Sequence, residues 1–200
     1  MRYICHRVNK SSGLADMPEN FGAEIDLRDT PDGRLYLEHD PFTPGEDFEE
    51  YIRHYRHGIL ILNVKSERIE ERVLEIIKAA GVKEYFFLDS SFPMIYLLSQ
   101  NGVSDIAVRF SEFEGLDTIR AMAGKVRWIW ADCFTKCVLT PENYSELKSL
   151  GYKICIVSPE LQGRPEDIEK HAEYLRQNNM IPDAVCTKRH NIPLWENYFN

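Results

Sequence analysis

The sequence predicts an α/β fold, a compact (β/α)8 TIM barrel made by one domain over residues 1–200, and two observations predict it. Eight short apolar runs of strand character recur along the chain, most of them separated from the next by one stretch with helical spacing. Ionisable residues gather at the C-terminal ends of those runs, the end at which a barrel of parallel strands carries its chemistry. An open doubly wound sheet is the alternative architecture. The irregular place is the first unit, where the crossover helix reads as reduced or missing: the segment from Asn9 to Gly22 is polar, contains Pro18 and has no helical period.

The elements follow in order. RYICHRV, from Arg2 to Val8, is the first strand and ends on His6 and Arg7. In the second, AEIDLR, Glu24 and Asp26 stand two apart, so their carboxylates leave the same face. The pair Asp32-Gly33 signals a tight turn, after which RLYLEHD extends to His39 and Asp40. A helix is expected next over residues 44–58: acidic residues open it, Phe48, Tyr51, Ile52 and Tyr55 recur at helical spacing, and Gly58 closes it. ILILNVK, Ile59 to Lys65, is apolar enough for a strand covered on both faces. The helix from Glu67 to Ala80 stops at Gly81.

The alternation then repeats. The strands EYFFLD, DIAVRF, VRWIWAD, YKICIVS and DAVCTK are separated by the helices FPMIYLLSQNG, LDTIRAMAG, TPENYSELKSLG and RPEDIEKHAEYLRQNN. Thr140 is the expected N-cap of one of these helices, with Pro141 at its first position. Leu194 to Phe199 reads as a short tail.

A composition of 44% hydrophobic and 28% charged residues is that of an ordinary soluble globular protein. The formal net charge of -8 argues against nucleic acid or an anionic membrane surface as partner. A phosphate ligand stays open, because a metal and an arginine reverse the sign inside one pocket. No run approaches the roughly 18 apolar residues of a membrane span, and the apolar start at Tyr3 reads as a strand and not as a signal peptide. Of the five cysteines, Cys5, Cys133, Cys155 and Cys186 lie in apolar runs and read as buried free thiols of a reducing compartment, which implies a cytoplasmic protein. Cys133 and Cys137 suit zinc, with no second pair to complete a tetrahedral site. Oligomeric state is not legible.

The candidate functional residues expected at strand ends are His6 and Arg7, Glu24 and Asp26, His39, Asn63 and Lys65, Asp89, Arg109 with Glu112, Trp130 with Asp132, and Lys188. Glu24, Asp26 and the histidines make a set suited to a divalent cation and a phosphate; the plainer reading is the solvated face of an edge strand capped by His39. Among them, HR at His6-Arg7, PEN at Pro18 to Asn20, E-I-D at Glu24 to Asp26, the D-G turn and H-D at His39-Asp40 stand in one order. That series resembles the glycerophosphodiester phosphodiesterases, (β/α)8-barrel enzymes of the phosphatidylinositol-phospholipase-C-like superfamily. The likeness runs from Ile4 to Lys65, with weaker echoes at LDSSFPM and DAVCTK.

The resemblance implies a metal-dependent hydrolase of a small phosphodiester. His6 and His39 would be the acid–base pair, a role suited to a group that titrates near neutral pH. Arg7 would clamp the phosphate oxygens and Lys65 would be a second cation there. Glu24, Asp26 and Asn63 would hold Mg²⁺ or Ca²⁺, hard cations that prefer oxygen. Arg109 and Trp130 are the further candidates for substrate contact, Trp130 by stacking; core packing is the default for both Trp128 and Trp130.

Two departures stand out. PEN runs almost directly into FGAEID with no full helix between, and strand three carries Asn63-Val64-Lys65 where the family pattern is E-x-K. The third metal carboxylate is thereby a neutral amide, with Glu38, Asp40 and Asp89 as the acids that would compensate. A relative that has lost catalysis and binds a phosphorylated ligand or a partner is therefore the second reading. His54, His57 and His171 are expected on solvated helix faces.

Overall fold

Apart from one run of three successive strands, strands alternate with helices over residues 1–199, which the computed structural model describes. The alternation is that of the α/β class. The chain divides into two units: one is Cys5–Asn101, the other joins Met1–Ile4 to the chain from Gly102 onward.

The chain opens with β1 (Arg2–Cys5). The first unit then contains α1 (Ser11–Ala15), β2 (Gly22–Asp29), β3 (Leu35–Leu37), β4 (Glu46–Asp47), α2 (Phe48–Arg53), β5 (Leu60–Val64), α3 (Glu70–Ala79), β6 (Tyr85–Leu88) and α4 (Phe92–Gln100). Its strands run in the order β4-β3-β2-β5-β6. β2, β5 and β6 are parallel, whereas β3 returns antiparallel along β2. The return is made at Gly33, whose φ of 81° lies in the left-handed region that glycine enters without penalty. Ile25, Leu27, Leu60, Leu62 and Phe86 are fully buried. Where a crossover helix would stand, α1 spans five residues and buries only Leu14.

The helix expected to reach Gly58 ends at Arg53. Its period fails there because Tyr55 turns inward: the buried hydroxyl donates to the carbonyls of Gly58 (2.9 Å) and Ile59 (3.2 Å). The two-residue β4 had no signal in the sequence.

The second unit contains β7 (Ala107–Phe110), α5 (Leu116–Met122), β8 (Trp128–Ala131), α6 (Pro141–Ser149), β9 (Lys153–Val157), α7 (Ile168–Gln177), β10 (Ala184–Thr187) and α8 (Ile192–Phe199). Its strand order is β1-β10-β9-β8-β7, with β7 through β10 parallel. The Thr140 cap is a full capping box: its hydroxyl accepts from the Asn143 N–H (3.3 Å) while Asn143 Oδ1 accepts from the Thr140 N–H (2.9 Å). Trp128 and Trp130 are both buried.

Two expectations are corrected here. The C-terminal tail is the helix α8, anchored by buried Ile192 and by Trp195, whose indole donates to Ser158 Oγ at 2.9 Å. His171 is not on a solvated face but 5% exposed. On α7 the buried residues are Ile168, His171, Ala172 and Leu175, a regular i, i+3, i+4, i+7 stripe that includes the histidine. Burial, then nearby Arg164, holds the pKa of His171 down to about 4, so its ring is neutral at ordinary pH. Among the described residues no helix is long and apolar enough to cross a membrane.

Candidate active site

β2 builds the centre of the first unit. It is flanked on both sides, and Glu24 and Asp26 are 0% exposed, which removes the reading of a solvated edge. The parallel register sets Asn63 of β5 directly beside Asp26. Its amide Nδ2 donates to Glu24 Oε1 at 2.7 Å and to Asp26 Oδ1 at 3.3 Å. The second oxygen of Glu24 accepts from the Arg7 backbone N–H at 2.7 Å and lies 3.8 Å from His6 Nε2. The second oxygen of Asp26 accepts from Asn9 Nδ2 at 2.8 Å and lies 4.0 Å from Arg7 Nε. Lys65 Nζ is 3.7 Å from Asp26 Oδ1 and 3.1 Å from Asp89 Oδ2.

Burial beside a second carboxylate disfavours the charged form of Glu24. Burial, then the charge of Asp26, pushes Glu24 up to about 7 against the opposing pull of Asn63, the Arg7 N–H and Lys65. A cation relieves that penalty. The donors fit one of the hard, oxygen-seeking kind: Glu24 and Asp26 supply carboxylates, and the buried Oδ1 of Asn63 has no hydrogen-bond partner. A half-turn of that amide exchanges its nitrogen for this orphaned oxygen. The acids expected to compensate for Asn63 are engaged elsewhere: Glu38 accepts from the His39 N–H (2.8 Å), Asp40 pairs with the His39 ring and Asp89 with Lys65.

His39 follows β3, half-exposed, with Nδ1 2.7 Å from Asp40 Oδ1. A carboxylate on Nδ1 fixes the ring and leaves Nε2 available for proton transfer. Arg28 was missed by sequence reasoning, although it continues the Glu24-Asp26 alternation on the same face of β2. Its guanidinium donates to the carbonyl of His39 (2.6 and 3.2 Å) and to that of Lys65 (3.2 Å), tying two of the expected functional residues to one strand. Asn9 was also missed; it bonds Asp26 at both backbone and side chain, and no local pattern announces it. Beside Arg28 opens a groove of about 640 Å³ lined by Tyr36, Phe42, Pro44 and Ser66 among others.

The structure thus brings His6, Arg7, Glu24, Asp26, Asn63 and Lys65 together, and links His39 to them through Arg28. Arg109 and Trp130 belong to the second unit. There Arg109 Nη1 donates to buried Asp132 at 2.7 Å, and Gln162 donates to the other Asp132 oxygen at 2.6 Å.

No protein family's profile matches the sequence, and no curated protein matches it. Solved structures do match over nearly all of its length. One is a glycerophosphodiester phosphodiesterase from Agrobacterium tumefaciens, with a TM-score of 0.65 at 14% identity, covering 98% of this chain and 99% of that one. Another is a glycerophosphoryl diester phosphodiesterase from Parabacteroides distasonis, with a TM-score of 0.68 at 15% identity, covering 100% of this chain and 87% of that one. The likeness extends the resemblance from the N-terminal third to the fold of the whole chain.

Proposed function

We propose that the protein is a phosphoric diester hydrolase of the glycerophosphodiester phosphodiesterase kind, acting on a small phosphodiester in the cytoplasm. Within that reading the strand–helix units close as a single (β/α)8 domain. The observation that supports it best is the buried Glu24–Asp26–Asn63 group, ringed by Arg7, Lys65 and His6, in a chain whose fold resembles solved enzymes of that name.

Glu24, Asp26 and the carbonyl of Asn63 would hold Mg²⁺ or Ca²⁺. When bound, such an ion supplies positive charge for the phosphoryl oxygens. Arg7 and Lys65 bind the remaining phosphate oxygens; Arg109 and Trp130 stay the further candidates for substrate contact that their strand-end positions suggest. His39, oriented by Asp40, and His6, beside Glu24, form the acid–base pair. One takes a proton from the attacking water and the other gives a proton to the departing alkoxide, so that a phosphomonoester and an alcohol leave. Proton transfer by a positioned side chain contributes about 10²–10⁴-fold, so loss of either histidine removes nearly all turnover.

One observation favours the second reading, a relative that binds a phosphorylated ligand or partner without turnover. The Asn63 amide already satisfies both carboxylates in the manner of a resident cation. Hydrolysis of a chromogenic phosphodiester with and without Mg²⁺ or Ca²⁺, in the parent protein and in His6→Ala and His39→Ala, separates the two. Cation-dependent turnover that falls at least about 100-fold in either variant supports the hydrolase. Inactivity of the parent with cation present selects the binding protein, and full activity in either variant removes that histidine from the mechanism.

A further inference from the structure

Three loops of the second unit meet at one point: 110–116 after β7, 131–137 after β8 and 158–164 after β9. Cys133, Cys137 and His171 each place a ligand atom, two sulfurs and a ring nitrogen, within 4.8 Å of one another. Cys133 is 0% and His171 5% exposed, and Cys137 is partly exposed. The Nδ1 atom of His171 is buried with no hydrogen-bond partner. A buried imidazole left so unsatisfied is unusual and needs a reason.

The loop that carries the two thiols is built in advance. The carboxylate of Glu112 accepts from three successive N–H groups between the cysteines, those of Phe134 (3.2 Å), Thr135 (2.8 Å) and Lys136 (2.9 Å). Partial burial opposes this, yet those N–H groups hold the Glu112 pKa down to about 2. On the acceptor side, Arg164 donates to the carbonyls of Cys133 and Phe134 and is itself held by Asp167 at the start of α7. Donors and acceptors of the loop are thus both tied, which fixes the sulfurs against the helix that presents His171. Supporting contacts of this sort distinguish a prepared ligand set from a chance meeting of buried side chains.

Two sulfurs and an imidazole select a thiophilic ion over the hard cations expected at Glu24 and Asp26. Cys-x3-Cys lies within the spacing of zinc ligands, and tetrahedral bonds of about 2.3 Å to sulfur and 2.0 Å to nitrogen need donor separations of about 3.5–3.8 Å. The observed limit of 4.8 Å closes to that by a movement of about 1 Å. We propose that Cys133, Cys137 and His171 bind a zinc ion in the second unit, with a solvent molecule as fourth ligand. Both thiols bind as thiolates and give up their protons to solvent. The site does not depend on the reading of the first unit as a hydrolase.

The test uses the full chain, reduced and stripped by a chelator, titrated with Zn²⁺ and separately with Co²⁺. The expected result is one ion per chain, with a thiolate-to-cobalt charge-transfer band and the intense visible bands of a tetrahedral centre. Cys137→Ser and His171→Gln should each weaken Zn²⁺ binding more than about 100-fold, and Glu112→Gln, which frees the loop, by on the order of tenfold. Reduced parent protein that takes up no Zn²⁺ and gives no cobalt–thiolate band overturns the proposal, and that readout does not depend on any variant folding. Unchanged Zn²⁺ affinity in a folded Cys133→Ser/Cys137→Ser protein overturns it equally.

Discussion

Each unit buries a polar trio, and the two trios solve opposite problems. Glu24, Asp26 and Asn63 bring oxygen donors, two of them acids, into a dry interior, so Arg7, Lys65 and the Asn63 amide nitrogen crowd around the two carboxylates. Burial keeps Cys133 and His171 in their neutral forms at little electrostatic cost, while a hydrogen bond with Cys133 draws the partly exposed Cys137 thiol down, and an imidazole nitrogen is left without a partner. The carboxylate site is therefore under pressure to take up a cation, whereas the thiol site is only shaped for one. Hard and soft donors in separate units also let two metals be held without competition.

The largest effect expected from that contrast is a double dissociation. Glu24→Gln with Asp26→Asn should reduce Mg²⁺ or Ca²⁺ affinity more than about 100-fold, a loss of about 3 kcal/mol, and leave Zn²⁺ stoichiometry untouched. Cys133→Ser with Cys137→Ser should do the reverse. Calorimetric titration of both proteins with both kinds of ion checks it, and loss of both affinities in one variant would merge the two sites.

A smaller change sharpens the carboxylate side. Asn63→Glu adds a third carboxylate beside Asp26 and removes the amide that now bridges the pair. Cation affinity should rise by about tenfold or more, with an unchanged or lower turnover number because the added charge also repels an anionic phosphate. Calorimetry with a phosphodiester assay reads both, and unchanged affinity in a folded protein removes Asn63 from the metal.

The smallest effect is on stability and has opposite signs in the two units. Glu24 has a folded pKa of about 7 against 4.5 unfolded, so its protonated form favours the fold: the contribution is complete below about 4.5 and is lost as pH rises through 7. His171 has a folded value of about 4 against 6.5; its contribution is present above 6.5 and lost as pH falls through 4. Trp128, Trp130 and Trp195 all belong to the second unit, so their fluorescence in urea reads that unit, while hydrogen exchange in β2 and β5 reads the first. Chelated protein should show the first unit weakening from pH 5 to 7.5 and the second from 6.5 to 4. Parallel pH trends would break the contrast.

What was legible in the sequence follows from the range of the interactions. Periodicity acts within one element, so the strand–helix alternation and the shared face of Glu24 and Asp26 could be read directly. Arg28 obeyed the same alternation and was passed over because arginine at a strand end reads as solvated. His171 was misplaced for a related reason: its helix is rich in charge, but the apolar stripe runs through position 171. Asn9 to Asp26 and Glu112 to the 134–136 loop are pairings across 17 and about 23 residues. Register and tertiary approach create them, and a one-dimensional pattern carries neither.

Arg7 and Asp89 adopt φ values of 56° and 59°. At Arg7 that conformation aims the backbone N–H at Glu24 while the side chain reaches toward Asp26. A left-handed residue with a side chain costs about 1 kcal/mol that glycine would not. Glycine at position 7 would relax the backbone and keep the N–H in place, but it would leave no guanidinium for a phosphate. Selection for persistence of the fold and selection for ligand thus pull this one codon in different directions.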